Sequence, residues 1–243
     1  MTKIIAGPCG FESYEMAEEI ISKLTEMGIE YVRGGANKYR SNPDDYQGTT
    51  EVYSWIKRLK EKYNFKFVNE VFTPMEYQTF GDVIDIAQVG SRNMHNTDLL
   101  KYLNNYCKQP IILKRHYAAG LTEFINHSRY IGNDKKVILG VRGILSLFPG
   151  EQRFQPDIAD IDRLRYLLVE RELLSNKEFM VDVSHMGCER RYIPKLIMTA
   201  MLYEPEYIMI EVHNNPINAK SDANQQLTID HLQELINRGI INV

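Results

Sequence analysis

The chain has 243 residues, 44% hydrophobic and 25% charged, with a formal net charge of −3. That length suits one domain with a sizeable core, and the scattered Lys and Arg build no broad field for nucleic acid or a membrane surface. No apolar stretch nears the ~20 residues that cross a bilayer, the N-terminus lacks a signal peptide's long apolar region, and three scattered cysteines with no CxxC pair make no disulfide framework, so a cytoplasmic protein with reduced thiols is expected.

An apolar run at 3–6 opens the chain and leads to Cys9. A helix is predicted over 13–27, with Ser13 as N-cap, acids in the first turn and Gly28 past its end. The run 30–33 ends on Arg33; a Gly/Asn/Asp/Pro-rich connection, 34–48, carries Lys38, Arg40 and Ser41 into a second helix over 50–63. Runs at 65–70 and 85–89 lead to Glu70 and Arg92, and a helix over 97–107 follows. The run 110–114 ends at Lys114 and Arg115 before a helix over 122–131. The run 136–139 leads to Arg142, then to a long connection over 148–157 and a helix over 160–174. Runs at 179–183 and 207–211 reach His185 and then Glu211 with His213, with helices over 190–203 and 228–238.

Short continuous apolar runs alternating with helices predict buried parallel strands joined by right-handed crossovers. Eight of them predict an α/β fold, a (β/α)8 TIM barrel forming a single domain over 1–243, with an open doubly wound sheet as the alternative. A barrel builds its active site at the C-terminal ends of its strands. The polar residues leaving these runs therefore converge, and the chain reads as an enzyme.

Two constellations follow. Cys9, His185, Glu211 and Asp222 supply a thiol, an imidazole and two carboxylates, a set suited to Mn²⁺, Fe²⁺, Co²⁺ or Zn²⁺. Singly, each has a plainer reading: a cysteine after a strand is usually a small buried hydrophobe. Arg33, Lys38, Arg40, Arg92, Lys114, Arg115 and Arg142 form a cationic set. Such residues are often solvated surface groups, but grouped at one mouth they match phosphate and carboxylate oxygens, with Ser41 adding a hydroxyl. The residues by themselves imply metal-dependent chemistry on small phosphorylated acids.

The stretches 6–13 (AGPCGFES), 33–43 (RGGANKYRSNP), 88–96 (QVGSRNMHN), 112–115 (ILKR), 181–185 (VDVSH), 210–213 (IEVH) and 219–222 (AKSD) occur in this order over nearly the whole chain. Together they resemble the motifs of 3-deoxy-D-arabino-heptulosonate 7-phosphate (DAHP) synthases, type I, β subfamily. The resemblance implies a condensation of phosphoenolpyruvate with erythrose 4-phosphate, releasing phosphate, at the entry to aromatic biosynthesis (the shikimate pathway). It implies a divalent metal, Mn²⁺ first, with Fe²⁺, Co²⁺, Zn²⁺ or Cd²⁺ as alternatives, on Cys9, His185, Glu211 and Asp222. It places phosphoenolpyruvate on Arg33, Arg92, Lys114 and Arg142 and the aldehyde substrate on Lys38, Arg40 and Ser41, with Lys114 as proton donor. A homo-oligomer, dimer or tetramer, is also implied. The relatives' N-terminal regulatory extensions have no counterpart, so inhibition by pathway products is not expected.

This sequence departs from the family pattern at Gly10, Val141 and Val183, and at Tyr39, which stands where the family has proline and bears on the aldehyde subsite. The nearest alternative is 3-deoxy-manno-octulosonate 8-phosphate (KDO8P) synthase, using arabinose 5-phosphate on the same barrel. A catalytically silent phosphometabolite-binding barrel is the alternative from another class.

Overall fold

In the computed structural model, which describes residues 2–147 and 153–243, every expected run becomes a strand. These are β1 (Lys3–Gly7), β2 (Tyr31–Arg33), β3 (Lys66–Glu70), β4 (Ile86–Val89), β5 (Ile111–Lys114), β6 (Val137–Val141), β7 (Lys177–Asp182) and β8 (Tyr207–His213). Each pairs in parallel with its neighbour in chain order. β8 then pairs with β1 over five positions, from Lys3 against Tyr207 to Gly7 against Glu211. That last ladder closes a (β/α)8 barrel and excludes the open sheet.

The longer helices are α1 (Tyr14–Glu26), α2 (Glu51–Lys60), α3 (Pro74–Phe80), α4 (Thr97–Tyr106), α5 (Leu121–Ser128), α6 (Asp160–Glu170), α7 (Ile193–Met201) and α8 (Ile229–Asn237), with one short helix, Val183–Gly187, directly after β7. Ser13 caps α1 as expected, its hydroxyl accepting from Met16 N at 3.2 Å. Helix α3 was not expected, because two turns are too short to show a periodic apolar face. Its signal was local: Thr73 accepts from Glu76 N at 3.1 Å and Pro74 takes the first turn, the N-cap and N1 residues a helix start favours. The Glu76 carboxylate, buried, accepts from Phe72 N, Tyr53 Oη and Asn37 Nδ2. It thereby ties α3 to α2 and to the loop after β2. Among the described residues no helix is long and apolar enough to cross a membrane.

Side chains alternate between the faces of a strand, and here the alternation sorts two cores. Ile4, Ala6, Val32, Phe67, Ala87, Ile111, Leu113, Val137 and Leu139 pack outward under the helices. Ile5, Tyr31, Val68, Ile86, Ile112, Ile138, Met180, Tyr207 and Met209 fill the barrel interior. Two residues beyond an interior position the chain faces inward again, one layer higher. That layer is Gly7, Arg33, Glu70, Gln88, Lys114, Gly140, Asp182 and Glu211, one residue per strand. Apolar below and polar above, the interior becomes the floor of a site at the strand exits. Glycine at 7 is required: its φ is +142°, and a Cβ there would lie 2.0 Å from Arg33 O.

Beyond β6 the chain forms a short hairpin, Ile144–Leu145 against Phe154–Gln155. Residues 148–152 of the expected long connection lie outside the described residues. Arg115, expected at the mouth, is spent on holding this segment. Its guanidinium donates to Asp157 at 3.2 Å, Asp160 at 2.6 Å and Ala119 O at 2.8 Å. Asp157 also accepts from Gly143 N at 2.7 Å. Burial still pushes the Asp157 carboxyl up to about 6, against the pull of Gly143 N–H and Arg115. Because its folded-state value is raised, Asp157 stabilises most below the unfolded value near 3.8, and that contribution is lost as pH rises through about 6. The contribution is on the order of 3 kcal/mol. Urea midpoints between pH 4 and 6.5 should therefore fall more steeply in the wild type than in Asp157→Asn; equal slopes would remove Asp157 as their source.

Candidate active site and metal centre

The exits of β1 and β2 are laced together. Gly35 N donates to Cys9 O at 3.2 Å and Phe11 N to Gly35 O at 3.3 Å. This brings Lys38 onto Cys9: its ammonium lies 2.7 Å from the Cys9 carbonyl oxygen and 2.8 Å from Sγ. From the other side Asp222 Oδ2 lies 3.0 Å from Sγ. Asp222 is held with φ +49°, a left-handed conformation costly for a residue with a Cβ. Gln226 accepts from Cys9 N at 2.9 Å, and Gln225 donates to Glu211 Oε2 at 2.5 Å. The two glutamines thus lock the segment after β8 onto β1 and β8. Arg33 pairs with Glu211 Oε1, both buried.

The ligand atoms of Cys9, Glu211 and Asp222 all lie within 4.8 Å of one another. Burial pushes the Cys9 thiol up to about 12, against the pull of Lys38. One soft and two hard donors at this spacing fit a divalent transition ion, and binding such an ion would displace the thiol proton.

Deeper in the barrel, Lys114 Nζ lies 2.5 Å from Asp182 Oδ2. Asp182 Oδ1 caps the short helix Val183–Gly187 by accepting from His185 N at 3.1 Å, while His185 Nδ1 lies 2.9 Å from Oδ2. Burial opposes the Asp182 charge, but His185, Lys114 and Arg33 outweigh it and hold the carboxyl well below its usual range. Burial, followed by Arg33, lowers Lys114, with Asp182 opposing. Asp182 therefore stays ionised, and Lys114 is the member of the pair able to release a proton. Burial likewise lowers Arg142, whose guanidinium stacks 4.1 Å from the Phe154 ring.

Above these groups opens a cavity of about 280 Å³ reached by Arg33, Lys38, Arg40, Arg92, Lys114 and Arg142. Tyr39 stands at its rim, 55% exposed and stacked on Phe72. Arg92 donates to Tyr39 O at 2.8 Å and places its guanidinium 5.0 Å from the Tyr39 ring. At Gly90 a Cβ would strike Glu70 Oε1 at 1.7 Å, so glycine lets the turn to Arg92 pass over the barrel floor.

With this geometry in view, residues 2–239 match the DAHP synthetase I family. The chain belongs to that family. A phospho-2-dehydro-3-deoxyheptonate aldolase of Thermotoga maritima is 34% identical over 236 residues, 96% of this chain and 67% of that protein. A 2-dehydro-3-deoxyphosphooctonate aldolase of Fusobacterium nucleatum is 28% identical over 261 residues, 98% and 88% of the two chains. The crystal structure of the DAHP synthase from Thermotoga maritima matches with a TM-score of 0.87 at 32% identity, over 98% of this chain and 68% of that one. A truncated 3-deoxy-D-arabino-heptulosonate 7-phosphate synthase from the same organism matches at 0.83 and 30% identity, over 98% and 85%.

Within this DAHP synthetase I barrel most expected residues meet. Cys9, Glu211 and Asp222 share one cluster, and His185 lines the cavity without joining the group within 4.8 Å. Six of the expected cations reach the cavity. Ser41 does not: it is exposed on the loop after β2 and is absent from the lining. Reading strand exits missed Asp182, Gln88 and the Gln225–Gln226 pair. The first two were legible, since each stands two residues beyond an interior apolar position. Arg153 and Tyr117 also line the cavity, but no sequence pattern marked them.

Proposed function

We propose that this member of the DAHP synthetase I family condenses phosphoenolpyruvate with erythrose 4-phosphate, with a divalent metal held by Cys9, Glu211, Asp222 and His185. The observation carrying this reading is the juxtaposition of the three-donor cluster with a cavity lined by seven Lys and Arg side chains against two carboxylates, Glu70 and Asp222. When bound, the ion supplies Lewis-acid polarisation of the aldehyde oxygen. Arg92, Arg142 and Lys114 hold the carboxylate and phosphate of phosphoenolpyruvate, and Lys38 and Arg40 the aldehyde substrate and its phosphate. Fixing both partners in attack geometry lowers the entropic part of the barrier. C3 of phosphoenolpyruvate bonds to the aldehyde carbon, water adds at C2, and the C2–O bond to phosphate breaks. Lys114, poised by burial against Asp182, hands a proton to an oxygen in this sequence. The reading also carries a cytoplasmic homo-oligomer, dimer or tetramer, with small-molecule substrates and no nucleic-acid or membrane partner.

The test is phosphoenolpyruvate consumption by Mn²⁺-loaded protein, with erythrose 4-phosphate and arabinose 5-phosphate in parallel, before and after EDTA. Turnover with erythrose 4-phosphate that EDTA abolishes is expected. A preference for arabinose 5-phosphate would make the chain a KDO8P synthase, and stoichiometric binding without turnover a silent barrel.

Arg92 gives a narrower expectation. Losing one charge-assisted contact costs about 1.5–3 kcal/mol, so Arg92→Ala should raise the KM for phosphoenolpyruvate roughly 10- to 100-fold with kcat much less affected. An unchanged KM would remove Arg92 from the substrate site.

A further inference from the structure

Of the seven Lys and Arg side chains that line the cavity, five are engaged within the protein. Arg33 pairs with Glu211, Lys114 with Asp182 and Arg40 with Asp45, while Lys38 lies on Cys9 and Arg92 donates to Tyr39 O. Among the described residues, Arg142 and Arg153 have neither an ion pair nor a side-chain hydrogen bond, and both line the cavity. Arg153 has no part in the reaction above.

The fold brings these two together. Gly143 turns the chain out of β6 with φ +93°, where a Cβ would lie 2.9 Å from Phe154 Cβ. The hairpin that follows is pinned on both arms: Leu145 N donates to Tyr117 O at 2.9 Å, and Asp157 holds Gly143 N and Arg115. Phe154 is thereby fixed, 4% exposed, beside the exit of β6. The Arg142 guanidinium lies 4.1 Å from the centre of its ring and the Arg153 guanidinium 4.9 Å, and Arg153 is also 6.0 Å from the Tyr117 ring. An aromatic ring attracts guanidinium groups and orients them, but two like charges on one ring still repel. Burial lowers Arg142, Asp182 opposes, and the Arg153 charge adds to the lowering. An anion between the two guanidiniums relieves that repulsion. The two oxygens of a carboxylate fill one guanidinium fork, whereas the three terminal oxygens of a phosphoryl group can serve two.

We propose that Arg153 is a second phosphoryl-binding arginine, joining Arg142 across the Phe154 ring to hold the phosphoryl group of phosphoenolpyruvate. The inference rests on the function proposed above and narrows it to one substrate group and one further side chain. When the C2–O bond to phosphate breaks, the departing anion stays between two positive charges fixed in place beforehand, the arrangement that stabilises developing charge most effectively.

The test is calorimetric titration of phosphoenolpyruvate into full-length protein loaded with stoichiometric Mn²⁺, in the absence of aldehyde. Arg153→Ala should bind about 10-fold more weakly than the wild type, the low end for a charge-assisted contact because Arg153 is exposed. Its side chain supports no core, and an unchanged Tm verifies that the variants are folded. Arg153→Lys, which keeps the charge and loses the fork, should regain only part of the affinity; full recovery would reduce Arg153 to a source of field and overturn the contact. Inorganic phosphate offers phosphoryl oxygens with no carboxylate, so its affinity should fall by a similar factor in Arg153→Ala. A fall for phosphoenolpyruvate and none for phosphate would overturn the phosphoryl assignment. Equal phosphoenolpyruvate affinity in wild type and Arg153→Ala would overturn this inference alone. A wild type that binds no phosphoenolpyruvate would overturn the proposed function as well.

Discussion

Cys9→Ala is expected to lower turnover by about 10³-fold while leaving the barrel folded. The thiol packs between the Lys38 ammonium and the Asp222 carboxylate, 2.8 and 3.0 Å away, and with Glu211 completes the three-donor cluster. Alanine fills nearly the same core space, so the loss falls on the bound ion rather than on packing. Lewis-acid stabilisation is worth several kcal/mol, and each 1.36 kcal/mol of barrier is tenfold in rate. The variant should also lose most of its response to added Mn²⁺. Near-wild-type rates in metal-depleted buffer would sink both the ligand assignment and the metal-assisted reading.

Asp182→Ala should instead strike stability and activity together. Lys114 and Asp182 are 4% and 0% exposed, and the carboxylate has three duties: partner of Lys114, neighbour of His185 and cap of the helix after β7. Removing it strands a buried ammonium, which costs about 3–5 kcal/mol, and removes a cap worth about 1 kcal/mol. For a chain of this size that is a fall in Tm of roughly 10 °C or more. Lys114→Met/Asp182→Ala, with no charge left to strand, should regain part of that Tm and none of the activity. A Tm unmoved in Asp182→Ala would mean that the pair is not ionic in the folded protein; full recovery of turnover in the double variant would exclude Lys114 from proton transfer.

The amino-acid order alone determined the eight barrel strands, seven of the nine α-helices among the described residues and the convergence of Cys9, Arg33, Lys114 and Glu211. Strands buried on both faces must be continuously apolar, and such runs stand out against amphipathic helices whatever the rest of the chain does. The exits were legible because an ionisable residue closing an apolar run is conspicuous. Helix α3 escaped because its evidence is a cap and a proline rather than a periodicity.

Only the tertiary structure decided which polar residues share the site. Arg115 and Lys114 are adjacent in sequence, but strand alternation sends Lys114 into the barrel toward Asp182, while Arg115 turns to Asp157 and Asp160. Ser41 and Arg40 are likewise neighbours, and only Arg40 reaches the cavity. Closure between β1 and β8 sets Cys9 beside Asp222, 213 positions away, helped by Gln226, which accepts from Cys9 N, and Gln225, which donates to Glu211, contacts that no local pattern announces. Composition and periodicity report burial and secondary structure, which are properties of short stretches. Contact between the two ends of the chain depends on strand register and barrel closure, which exist only once all eight strands have paired.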